Sequence, residues 1–228
     1  MLRLTQFVSL ILVLTINVFS ADVTGKISFS GASPKMPKMK MDADKTCKAM
    51  HSTSVSSEEV VVNANNTLKN VFIYVKEGAK PTAAPTVPVT LSQKGCQYTP
   101  HVMGTQVGQP FVILNDDPTL HNVHSLAKSN TQFNNAQPIK GMKLNKKFDK
   151  PEVMVKFKCD VHNWMSAYVG VVNNSYYAVS NDNGSFAIKG LPAGNYTLEA
   201  WHEKYGTQQL KITVADKPVT ADFNYSAK

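Results

Sequence analysis

Residues 157–172 read FKCDVHNWMSAYVGVV. The first half carries three side chains that suit a metal, Cys159, His162 and Met165, each three residues after the last. The second half, from Ala167 to Val172, is an alternating apolar stretch that reads as a strand. A short run of soft ligands therefore opens directly into a sheet.

Outward from that stretch, strand signals dominate the chain. GKISFSG, EEVVVN, NVFIYV, VPVTL, QPFVILN, EVMVKFKC, GSFAIKG, YTLEAWH, LKITV and TADFNY are short, rich in β-branched or aromatic residues, and often alternating. Gly, Pro, Asn and Asp punctuate them, and no segment holds a helical period of apolar residues. The fold expected is all-β, built as sandwiches. Two stretches differ. Residues 33–50, SPKMPKMKMDADKTCKAM, are rich in Lys and Met with little strand character, and residues 76–88, KEGAKPTAAPTVP, read as a loop or linker.

Residues 1–20, MLRLTQFVSLILVLTINVFS, have a basic start at Arg3 and an apolar run from Phe7 to Phe19. The run is short for a membrane span and polar sequence follows at once, so it reads as a secretory signal peptide. The expected location is periplasmic or secreted, with no stable membrane insertion after the signal is removed. Removal takes one cation from a chain of formal charge +8, leaving +7 on 208 residues (228 less 20). Arg3 is the only arginine. Nucleic-acid readers lean on the bidentate arginine fork, so the composition argues against a DNA or RNA partner. A lysine-coated surface suits solubility or a transient meeting with an acidic partner.

Three cysteines in an exported chain is an odd count. Cys47 and Cys96 lie in loop-like stretches without ligand spacing, and they are read as a structural disulfide. Cys159 is left over. Upstream, NDDPTLHNVHSL offers His121 and His124 after the strand PFVILN. Side chains three apart on an extended backbone face opposite ways, so only one of these histidines is expected at an inward site. With Cys159, His162 and Met165 it makes two imidazoles, a thiolate and a thioether, the donor set of a blue-copper electron-transfer centre. Zinc is the rival, since His121, His124, Cys159 and His162 also total four N/S ligands. The thioether has no role there, and strand alternation splits the histidine pair, so copper is favoured. The plain alternative is a buried cysteine, a surface histidine and a core methionine.

HNVH followed by CDVHNWM, with VGQPFVILN before them, resembles the small blue copper proteins, the cupredoxins, and among them the amicyanin type. The resemblance runs from about Val87 to Val172 and implies a Greek-key β-sandwich. Carried over by position, it makes His121, Cys159, His162 and Met165 the ligands of one type 1 copper and leaves His124 a non-ligand. It gives Asn122 the task of tying the two ligand loops together. Asn163 stands where that family carries a proline, which leaves the potential and proton affinity of His162 open. Trp164 replaces a smaller aromatic and is read either as a shield beside the metal or as an ordinary core tryptophan. The activity implied is one-electron transfer, not enzymatic catalysis, with a cytochrome c or an amine dehydrogenase as partner by analogy. The alternatives are a copper-binding or delivery protein, with the methionine-rich segment as transfer face, and a non-redox scaffold module.

Residues 176–214 carry DNGSF, GLPAGNYTLEA and KYG, and resemble the carboxypeptidase regulatory-like domain, a transthyretin-like β-sandwich. Asn183-Gly184 suits a tight hairpin, and Pro192 with Gly194 shapes the next reversal. Too few strands follow residue 173 to bury a core. GKISFSG and LKNVFIYVKEG look like the missing ones, so residues 21–85 are expected to complete the sandwich of 173–228, with the copper domain, 86–172, inserted between them. A cupredoxin followed by a separate tail is the competing order. Met36, Met39, Met41, Met50 and His51 are soft donors in a segment read as a flexible surface. His101 reads as structural or exposed. His202 and Glu203 lack a nucleophile or second acid–base group at a fitting spacing, so no catalytic site is read there.

Overall fold

The computed structural model describes residues 19–227. Most of the expected leader, residues 1–18, lies outside the described residues, and Ser20 already begins a strand. No helix among the described residues is long and apolar enough to cross a membrane.

The chain is nearly all β. Its first part supplies β1 (Ser20–Ser30) and β2 (Phe72–Glu77), with a 3-10 turn (Met41–Ala43) and one short helix, α1 (Lys45–Ala49), between them. The middle runs through β3 (Val89–Gln93), β4 (Tyr98–Thr99), β5 (Val102–Gln106), β6 (Phe111–Asn115) and β7 (His121–Ser125). It continues through β8 (Phe133–Gln137), β9 (Lys143–Lys146), β10 (Glu152–Lys158) and β11 (Ser166–Val172). The last part adds β12 (Tyr177–Val179), β13 (Ser185–Pro192), β14 (Gly194–His202), β15 (Gly206–Val214), β16 (Val219–Thr220) and β17 (Phe223–Ser226).

One pair of sheets draws on both ends of the chain. β1 lies between β13, antiparallel, and β16 and β17, both parallel. The facing sheet has the order β12-β2-β14-β15. Period-two alternation makes the shared core: Val23, Ile27 and Phe29 of β1 meet Ile73, Val75, Leu198 and Ala200, while Phe186, Ile188, Phe223 and Tyr225 close it. The second pair of sheets, β5-β11-β10-β7-β8 and β4-β3-β6-β9, is made wholly from residues 89–172. Its core holds Leu91, Phe111, Ile113, Val155, Phe157 and Val169, and includes Cys159 and Met165.

The two sandwiches meet through the outer face of β2. Phe72 and Tyr74 point away from Ile73 and Val75 and pack with Val102, Tyr168, Val172, Tyr177 and Trp201. The Phe72 ring lies so close to Gly170 of β11 that a Cβ there would overlap it, which explains a glycine inside a buried strand.

The segment 33–50 differs from the flexible surface expected of it. Met41 and Cys47 are buried, and Met39 and Met50 pack on the core of the second sandwich. Met36 instead packs against the core of the first. The Met39 amide donates to Val55 O at 2.9 Å, and Asp44 caps α1 by accepting from the Thr46 and Cys47 amides at 2.7 and 3.1 Å. Apolar packing by the thioethers, together with this cap, gives order to a stretch whose composition suggested none.

Candidate metal centre

β7 and the loop joining β10 to β11 build the site. His121 opens β7 and is fully buried. Cys159 follows β10, and the loop closes on itself: the Met165 amide donates to His162 O at 2.9 Å, and the Cys159 amide to Met165 O at 3.3 Å. The His162 amide donates to Cys159 Sγ at 3.3 Å. His121 Nδ1 lies 2.9 Å from His162 Nδ1, and Cys159 Sγ lies 3.8 Å from His162 Nδ1. The three side chains form one buried cluster of possible metal ligands. Met165 is buried in the same core as Cys159.

His124 lies elsewhere. It is partly exposed on the opposite face of β7, and its Nδ1 is 2.9 Å from Asp160 Oδ2. The four-residue zinc set containing both His121 and His124 is therefore not assembled among the described residues.

Asn122 joins the two ligand-bearing stretches. Its Oδ1 accepts from the Asp160 amide at 2.6 Å and the Val161 amide at 3.3 Å, and lies 3.3 Å from Cys159 Sγ. Behind it, the Tyr98 hydroxyl lies 2.9 Å from Asn122 O and 3.1 Å from Lys158 O, bracing both strands. Trp164 packs its ring 5.1 Å from that of His162 and donates from Nε1 to Cys96 O at 3.0 Å. Cys47 and Cys96 form a disulfide, and Cys159 is a free, buried cysteine.

Two carboxylates missing from the sequence reading hold the imidazoles from outside. Asp117 Oδ2 accepts from His121 Nε2 at 2.9 Å and from the Cys96 amide at 2.7 Å, while its Oδ1 accepts from the Gly95 amide at 2.7 Å. Asp44 Oδ2 accepts from His162 Nε2 at 3.1 Å. Asp117, four residues before His121 in NDDPTLH, was within reach of a sequence reading; Asp44, 118 residues from His162, carried no local signal.

This arrangement sets the charge balance. Burial alone raises the Cys159 pKa, but hydrogen bonds from His121, His162 and the backbone outweigh it and bring it down to about 6. Burial presses both imidazole pKa values down, and hydrogen bonds outweigh it: Asp117 and Cys159 raise His121, Cys159 and Asp44 raise His162. With each Nε2 bonded to a carboxylate, the two Nδ1 atoms face one another at 2.9 Å beside a thiol that ionises readily. Such an arrangement needs a cation between them, a proton or a metal ion, so the donor set fits a soft, imidazole- and thiolate-binding metal.

The carboxypeptidase regulatory-like domain family matches residues 165–226. No curated protein matches the chain. Among solved structures, the chain is similar to a copper-containing nitrite reductase from Thermus scotoductus SA-01, with 23% identity and a TM-score of 0.36 over 43% of this chain. That match spans about a quarter of the reductase's length, 25%. A purple cupredoxin from Nitrosopumilus maritimus is 22% identical with a TM-score of 0.31, over 36% of this chain and 97% of its own. A Cu(I) form of an amicyanin variant is 19% identical with a TM-score of 0.33, over 43% of this chain and 97% of its own.

Proposed function

We propose that this chain is an exported one-electron carrier with a single type 1 copper held by His121, Cys159, His162 and Met165. The observation that carries the reading is the convergence of His121 Nδ1, His162 Nδ1 and Cys159 Sγ in one buried cluster, with both Nε2 atoms occupied by carboxylates. When bound there, copper would supply a reversible one-electron couple, and Met165 would offer a thioether that tunes its potential.

The protein's own residues keep that cluster in place. Asp117 and Asp44 fix the imidazole orientations, and outer-sphere partners of this kind set ligand direction and basicity. Asn122 and Tyr98 tie β7 to the ligand loop, so the two halves of the site move together. Burial of Cys159, His121 and Met165 excludes water. His162 is only 2% exposed, and the partly exposed ring of Trp164 packs against it, so an electron path through Trp164 is the one proposed. Redox proteins such as a cytochrome c or an amine dehydrogenase are the partners proposed, and the chain is proposed to catalyse no reaction itself. Copper delivery has less support, because Met41 is buried and Met36 and Met39 are packed against the cores rather than grouped as a free thioether cage.

The test is addition of Cu(II) to the purified protein. An intense blue thiolate-to-copper band with narrow copper hyperfine splitting is expected; Cys159→Ser abolishes it, and His124→Ala leaves it intact. Persistence of the band in Cys159→Ser, or tight zinc binding with no coloured copper form, overturns the reading.

A further inference from the structure

Residues 40–50 form a cap over the outer edge of His162. Asp44 reaches its Nε2 at 3.1 Å, and Cys47 Sγ lies 3.5 Å from the same nitrogen. The cap is fastened at four points. Cys47 is bonded to Cys96, Met41 is buried in the core, His51 Nε2 donates to Gly95 O at 2.7 Å, and Asp44 Oδ2 accepts from Thr119 Oγ1 at 3.2 Å. Asp44 is itself held by the two α1 amides that it caps, so its free carboxylate oxygen has little freedom to leave the imidazole.

From this geometry we infer that Asp44 is a positioning residue for the metal ligand His162, and that the cap carrying it is the clamp that retains the metal. The inference rests on the copper reading above. A carboxylate on Nε2 keeps the proton there and leaves Nδ1 free for an ion. It also stops the ring from turning about its Cβ–Cγ bond, the motion by which a histidine lets go of a metal. Asp117 does the same for His121 from within the site's own strand connection. Asp44 differs because it arrives on a separate segment, whose attachment decides whether His162 is clamped.

The experiment compares wild type with Asp44→Asn, which keeps an acceptor oxygen and a helix cap, with Asp44→Ala, and with the exposed-residue control Asp42→Ala. In the metal-free protein, nitrogen-15 spectra of the imidazoles should show His162 protonated at Nε2 in wild type and control, and a mixture of tautomers in Asp44→Ala. Transfer of bound copper to a chelator should be faster by roughly 10–100-fold in Asp44→Ala and by less in Asp44→Asn, with control equal to wild type. Loss of the negative charge should move the copper reduction potential upward in both Asp44 variants. An unchanged His162 tautomer in Asp44→Ala, or unchanged copper release in a copper-binding protein, overturns the inference. Failure of wild type to bind copper overturns the carrier reading instead, and the metal-free spectra still decide whether Asp44 holds His162.

Discussion

His101 Nε2, from the turn before β5, lies 2.7 Å from Glu203 Oε2 in the turn after β14, and the Tyr168 hydroxyl donates to the other oxygen of the same carboxylate at 3.0 Å. His101 Nδ1 lies 3.1 Å from Ser166 O, so it is the donor there and the ring is bonded at both nitrogens. Ser166 directly follows Met165, which places the junction between the sandwiches one residue from the candidate centre. Tyr168 and Trp201 pack beside this network with tilted rings, centroids 5.0 Å apart.

Removing the carboxylate should therefore loosen the junction. Glu203→Ala leaves the buried His101 Nε2 and the Tyr168 hydroxyl without their acceptor, and is expected to cost about 1.5–3 kcal/mol. Glu203→Gln, which keeps one acceptor, should cost less. Urea unfolding of the two variants checks the order; equal stability of Glu203→Ala and wild type would show that the network contributes nothing.

Gly170 tests the same junction by bulk rather than polarity. A methyl group there meets the Phe72 ring, which is fully buried and has nowhere to retreat. Gly170→Ala should destabilise by about 1–3 kcal/mol through overpacking. The double variant Gly170→Ala with Phe72→Leu should recover part of the loss, and calorimetric melting of the set measures it.

The Cys47–Cys96 disulfide joins residues 49 apart in sequence and fastens the cap. Alkylation without reductant should label Cys159 alone, and only after unfolding, since that thiol is buried. Replacing both bridged cysteines by Ser should cost about 2–4 kcal/mol. Mass spectra of the labelled protein and its denaturant midpoint are the two measurements.

His202 gives the protein a pH dependence away from the candidate centre. Burial pushes its pKa down to about 4, and its Nδ1 accepts from the Lys204 and Tyr205 amides at 3.0 and 3.3 Å. The unfolded value is about 6.5, so between the two the unfolded chain binds more protons and stability rises with pH. This contribution is complete above about pH 6.5 and is lost as pH falls through about 4. His202→Asn keeps an acceptor without the titration. Comparing the melting temperatures of wild type and variant at pH 7 and pH 4.5 should show the larger fall in wild type.

Much of this protein is determined locally. Period-two alternation in GKISFSG or EVMVKFKC declares strands because the pleat alone puts successive side chains on opposite faces. The same local rule separates His121 from His124, and the three-residue spacing of Cys159, His162 and Met165 is compact enough for one loop to present. Asp117 also lay close enough to His121 in the chain to be noticed. Asp44, His101 and Glu203 were beyond any such reading, because their partners are about a hundred residues away and their own neighbours look like ordinary surface sequence. The Lys/Met segment misled for a related reason: composition reports how polar a stretch is, but not whether a core lies beneath its thioethers. Pairing of β1 with β13, β16 and β17, the fit of Phe72 against Gly170, and the closure of the cap over His162 depend on surfaces that exist only once the sheets have formed. Short-range spacing decides which residues can be strand or ligand, and long-range packing decides which of them meet.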